Sequence, residues 1–101
     1  MSKQDTTTDG SQPLLSLGLV VATPGALNLL DQAGVDAEVL LRRHQSGDWG
    51  SVPLEDAEEN RRSIGSGLRI LSSYPLNESE RLWIITESDR SATTLLLPSE
   101  Y

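Results

Sequence analysis

Among its 101 residues the sequence has no cysteine, no phenylalanine, one histidine, one methionine (Met1) and one lysine (Lys3). Each scarcity removes a class of chemistry. Without cysteine there is no disulfide framework, no thiol nucleophile and no zinc site built on thiolates. A single histidine rules out a histidine-rich metal site, and no Asp/Glu cluster has tight metal-ligand spacing. No apolar run approaches the ~20 residues that span a bilayer as a helix. Basic side chains number 8 against 15 acidic ones, for a net charge of −7. A non-specific nucleic-acid binder needs the opposite balance. No Gly-x-Ser-x-Gly elbow occurs, and Gly65-Ser66-Gly67 precedes a strand-like run where a phosphate-cradling loop would open a helix. The length suits one small domain and leaves no room for a separate cofactor domain, so no cofactor is implied.

What is present falls into an ordered series. Residues Met1 to Pro13 are polar and rich in Thr and Ser, a composition that reads as a disordered arm. They lack the basic and apolar regions of a targeting signal, which makes the cytoplasm the expected compartment. The expected domain covers residues 14–101. Leu14–Ala22 is a short apolar run, a candidate for one extra N-terminal strand. Thr23-Pro24 then reads as a helix cap followed by proline at the first helical position. Leu27, Leu30 and Ala33 share one face of that helix, and Gly34 stops it. Asp36 caps a second helix, with Val39, Leu40 and Arg43 on one side and an end near Gly47.

Trp49, in the turn Gly47–Pro53, is expected to anchor that loop on the core. After Pro53 the run Leu54–Arg62 places acids first and bases last, which matches a helix dipole, with Glu58 and Arg62 forming an i,i+4 pair. Its charges read as a solvated helix face, ended by Gly65 and Gly67. Leu68–Tyr74, Arg81–Glu87 and Ala92–Leu97 are rich in β-branched, aromatic and leucine residues, and short turns join them. Helices followed by a meander predict an α+β domain: about three helices packed on a C-terminal three-stranded antiparallel sheet.

Two clusters can support chemistry. His44 lies in the last turn of the second helix beside Arg42 and Arg43. The helix C-terminus favours an imidazolium there, and the residue is a candidate acid/base or a helix-end cap. The segment Thr86–Thr94 gathers Glu87, Asp89, Arg90 and several hydroxyls, Thr93 and Thr94 among them, at and beyond a hairpin turn. Arg90 can hold a phosphate and a threonine hydroxyl can stabilise developing charge, although Ser and Asp also serve turns directly. Asp48, Trp49, Arg69, Asp89 and Tyr101 complete the set of candidate binding residues. Tyr101 either frays or docks back.

The blocks Arg43-His44-x-x-Gly47-Asp48-Trp49-Gly50, Arg69-Ile70-Leu71-Ser72 and Trp83-Ile84-Ile85-Thr86-Glu87-x-Asp89-Arg90-Ser91-x-Thr93-Thr94-x-Leu96-Leu97-Pro98-x-Glu100-Tyr101 resemble a family of small uncharacterised bacterial proteins. Members of that family are carried on plasmids and integrated mobile elements, and the similarity starts near Ala22. At the level of fold, helices followed by a meander are similar to the barnase-, EndoU- and RelE-like ribonucleases. That likeness implies His44 as acid/base, Arg90 (or Arg69) as phosphate ligand and Thr93 or Thr94 as the hydroxyl. The sequence departs from the group in having no histidine on the last strand and no lysine beyond Lys3. Two functions are therefore expected to compete. One is an acidic accessory protein of a mobile element that binds another, basic, protein. The other is a metal-independent ribonuclease acting on RNA. Neither involves a membrane.

Overall fold

The computed structural model describes residues 13–101, so the expected arm, apart from Pro13, lies outside the described residues. The chain order is strand β1 (Leu19–Ala22), helices α1 (Pro24–Ala33), α2 (Ala37–Gln45) and α3 (Leu54–Ser66), then strands β2 (Ile70–Pro75), β3 (Arg81–Thr86) and β4 (Ala92–Leu96). A short 3-10 turn, Pro98–Glu100, follows. The protein is thus α+β, with β2, β3 and β4 forming the antiparallel meander. The N-terminal strand joins it by pairing in parallel with β4, which gives the sheet order β1-β4-β3-β2.

Local chemistry accounts for the helix ends. The Thr23 hydroxyl accepts from the Ala26 N–H at 3.0 Å, and Pro24 starts α1 where an N–H would have no partner. Asp36 accepts from the Glu38 N–H at 3.0 Å to open α2. Gly34 and Gly67 close α1 and α3 in the left-handed region, at φ 68° and 76°. The last helix runs through Gly65 and ends at Ser66, so Gly67 and not Gly65 is its stop. The expected pairing of Glu58 with Arg62 gives way to Glu59 with Arg62 at 2.9 Å, since i,i+3 neighbours are equally adjacent on a helix.

The apolar faces of α1 and α2 are rotated from those expected. Helix α1 buries Ala26, Leu29 and Leu30, whereas Leu27 is 56% exposed; α2 buries Leu40 and His44, whereas Val39 is 52% exposed. Ala26 takes the buried side of α1 at 0% exposure, and Leu27, about 100° further round the helix, turns outward.

Two apolar clusters fill the space between helices and sheet. The larger holds Ala26, Leu30, Leu40, Tyr74, Leu82, Ile84 and Leu95. The smaller holds Leu15, Trp49 and Ile70, flanked by Val52, Ala57 and Ile64. Trp49 is therefore the core anchor of its loop.

The two edges of the sheet are treated differently. On β2 the outward backbone groups of Leu71 and Ser73 are all paired. The Asn60 side chain donates to the Leu71 carbonyl at 2.7 Å and accepts from the Leu71 N–H at 3.1 Å. Ser73 donates its N–H to the Trp49 carbonyl and accepts from the Ser51 N–H. Pro75 has no N–H to satisfy. The opposite edge is β1.

Candidate functional site

The candidate catalytic residues lead to a buried polar seam between the two apolar clusters. On β2 the helix-facing residues run Ile70, Ser72, Tyr74; on β3 they run Leu82, Ile84, Thr86; on β4 they run Thr93, Leu95. Thr86 pairs directly with Thr93 across β3 and β4, and Ser72 lies diagonally from Thr86, two residues along β2 from its partner Ile70. The last turn of α2 lowers His44 onto them. The imidazole is fully buried, with Nδ1 at 2.6 Å from Ser72 Oγ and Nε2 at 2.9 Å from Thr86 Oγ1. The Thr86 and Thr93 hydroxyls are 2.7 Å apart, and Thr93 donates to the Leu17 carbonyl at 2.8 Å. Trp49 meets the imidazole edge to face, with ring centres 6.0 Å apart.

Proton counting fixes the direction of every bond in this chain. A carbonyl only accepts, so Thr93 uses its one hydrogen on Leu17. Thr86 must therefore donate to Thr93, which consumes its own hydrogen. It then accepts from Nε2–H of His44. A neutral imidazole has one donor and one acceptor nitrogen, so Nδ1 accepts from the Ser72 hydroxyl. The sequence Ser72 to His44 to Thr86 to Thr93 to Leu17 has one polarity and leaves no atom of it unsatisfied.

This environment reverses the charge state expected from the helix end. Burial, and secondarily the nearby Arg90 guanidinium, push the His44 pKa down from 6.5 to about 4. The helix-end partial charge that favours an imidazolium is outweighed because the ring points into the core, where hydration is lost. Burial also pushes the Tyr74 phenol up to about 12, while its hydroxyl donates to the Asp48 carbonyl at 2.6 Å.

Arg90 stands close to this seam but is occupied. Its backbone has φ 61°, and its guanidinium donates to the carbonyls of Ser63 (2.8 Å), Leu68 (2.6 Å) and Glu87 (3.1 Å). It closes the C-terminal end of α3 against the β3–β4 turn. A side chain that fills its donors with main-chain carbonyls has little left for a phosphate. Thr94 alternates with Thr93 along β4, so it lies on the opposite face of the sheet from His44.

The remaining candidates serve structure or surface. Asp48 accepts twice from Arg43, at 2.7 and 3.2 Å, and once from the Gly50 N–H. The Arg43 hydrogen bonds hold its carboxyl below the usual range, and Arg43 also lies 4.6 Å over the Tyr74 ring. Asp89 is exposed; the Ser91 hydroxyl and, secondarily, the Ser91 N–H at 2.9 Å lower its pKa. Tyr101 docks back: it meets Trp83 edge to face and accepts from the Arg69 guanidinium through its hydroxyl. The sequence places Thr86 only at the head of the turn cluster, with no role of its own, and does not single out Ser72 or Asn60. Ser72 and Thr86 carry a weak signal, as polar residues on the inward register of apolar strands; Asn60 carries none beyond its poor helix propensity.

His44, Thr86 and Thr93 are thus brought together, Arg90 lies nearby but is engaged, and Thr94 is separated from them by the sheet. Among the described residues no group of three metal-ligating side chains exists. Comparison with family models, curated proteins and solved structures finds no match to this chain.

Proposed function

We propose that this chain is a non-enzymatic accessory protein that works by binding another protein, preferentially a basic one. The observation that carries the reading is where the functional groups lie. His44, Ser72, Thr86 and Thr93 are all 0% exposed and mutually satisfied, so no substrate atom reaches them without unfolding the core. The surface, by contrast, combines a net charge of −7 with exposed apolar side chains on β1, including Leu19 at 68%. An accessory role of this kind is also what the resemblance of its sequence blocks to proteins of plasmids and integrated elements would imply.

The ribonuclease alternative keeps one point in its favour: a single hydroxyl, that of Thr86, separates His44 from Thr93. Burial of both and the engagement of Arg90 weigh against it. Affinity capture with the full chain from its native cells, followed by reassembly from purified components, tests the leading reading. A saturable complex whose Kd rises with ionic strength is expected. Absence of any saturable partner at low salt refutes it. RNA cleavage in the presence of EDTA that disappears in His44→Ala would establish the alternative instead.

A further inference from the structure

We propose that the outer edge of β1 takes up an extended apolar segment of a partner protein, flanked by lysine or arginine, as a fifth strand of the sheet. This rests on the protein-binding reading and names the surface and the chemistry of its partner.

The backbone supplies the first argument. Leu19 and Thr23 donate their N–H groups inward, to the carbonyls of Ser91 and Leu95. Alternation along a strand then turns the N–H and C=O of Val20 and Ala22 outward. Among the described residues, nothing accepts from or donates to these four groups. Their occupant must be an extended chain, because only a strand presents donors and acceptors at this spacing. A helix or a flat side-chain surface does not.

The contrast with β2 supplies the second. On that edge the outward groups of Leu71 and Ser73 are paired through Asn60, Trp49 and Ser51, and Pro75 has no N–H to offer. Natural sheets protect an open edge with charge, proline or a bulge. The β1 edge has none of these along its length: its side chains are Leu19, Val20, Val21 and Ala22, with both valines 42% exposed. The wider stretch from Leu14 to Leu30 has no charged residue at all.

Charge selects the occupant. Asp89 lies at the N-terminal end of β1, bonded to the residue whose carbonyl holds Leu19. Glu100 lies at the other end, accepting from the Thr23 hydroxyl at 2.6 Å. Carboxylates bracket a neutral strand about 13 Å long, at ~3.3 Å per residue. A second copy in two-fold antiparallel pairing would set each Asp89 end against the other copy's Glu100 end, with like charges opposed. An apolar segment with basic flanks meets the opposite sign at both ends.

The test uses the full chain and two synthetic probes: a short peptide of alternating valine and threonine flanked by lysine, and its glutamate-flanked counterpart. Binding is followed by amide chemical shifts and hydrogen exchange. The expected result is saturable binding of the lysine-flanked peptide alone, with slowed exchange at Val20 and Ala22. Val20→Pro removes an outward donor while leaving the inward ladder intact, and should weaken binding by roughly tenfold or more. Val21→Lys, on an exposed side chain, provides the same check should the proline variant not fold. Equal binding by these variants, or shifts mapped elsewhere, overturns the proposal. So does protection of Val20 and Ala22 without peptide, whether it vanishes on dilution (a second copy) or on deletion of residues 1–12 (the chain's own segment). A native partner that still binds Val20→Pro would leave the protein-binding reading intact and remove only this edge. No partner for either form would remove both.

Discussion

Lowering the pH from neutrality to about 4 should destabilise the protein through His44 alone before the carboxylates contribute fully. Above the ordinary value of 6.5 the imidazole is neutral in both folded and unfolded states and adds no pH dependence. Between 6.5 and about 4 the unfolded chain binds a proton that the buried ring refuses, so the unfolded state gains. Below about 4 both states are protonated and the loss is complete. The interval corresponds to about 3 kcal/mol at ~1.4 kcal/mol per pH unit, of which about 2 kcal/mol is gone by pH 5. This is a large share of the ~5–15 kcal/mol that holds a small domain folded. The assay is urea unfolding at a series of pH values, read by the fluorescence of Trp49 and Trp83 together, with His44→Gln in parallel. Because the sequence has one histidine, the variant removes every imidazole from the titration. Asp48, Asp89 and Glu100, all held below their usual values, lose their stabilisation at the acid end in both proteins and cancel in the comparison. An identical pH slope in wild type and His44→Gln, or an imidazole that titrates near 6.5 by NMR, would refute the buried neutral state.

The polarity of the hydroxyl chain predicts that Thr86→Val costs about 1–3 kcal/mol, since it strands the Nε2–H of His44 and takes the donor from Thr93. Thr86→Ser should recover most of it, as chemical denaturation would show. Asn60→Ala should cost a similar ~1–3 kcal/mol by leaving both Leu71 backbone groups unpaired, and hydrogen exchange should accelerate at the Leu71 amide. Arg90→Ala and Arg90→Gly both lose the bonds to Ser63 and Leu68. The glycine variant should nonetheless be the more stable of the two by roughly 1 kcal/mol, because the position has φ 61°. Equal midpoints in thermal unfolding would show that backbone strain at this turn is negligible.

Features settled within a few residues were legible in the sequence. The Thr23-Pro24 and Asp36 starts, the Gly34 and Gly67 stops and the three C-terminal strands each follow from local hydrogen bonding and side-chain shape. The helix faces were less so. Leu27 and Val39 are as apolar as their buried neighbours, and only the position of the sheet decides which of them turns inward. The site was legible as residues, not as an arrangement. His44 was conspicuous as the only histidine, yet its partners Ser72 and Thr86 lie 28 and 42 residues away. Nothing local announces such contacts. The role of Arg90 was hidden for the same reason, since its acceptors Ser63 and Leu68 belong to the end of a different element. The parallel pairing of β1 with β4 likewise depends on closing almost the whole described chain into one loop.

That closure orders events during synthesis. β1 and its lead-in emerge early, but their ladder partner Ala92–Leu95 and the acceptor route through Thr93 are made only near the end of the described chain. Local contacts form before distant ones because long loops cost more entropy to close. The meander and α3 can therefore assemble while the Leu14–Ala22 segment is still unattached, and this apolar stretch is the last to find its place. Until then both of its edges are available. A nascent chain stalled before β4 would present the stickiest of the described segments with neither neighbour in place, which makes β4 the strand that restrains aggregation.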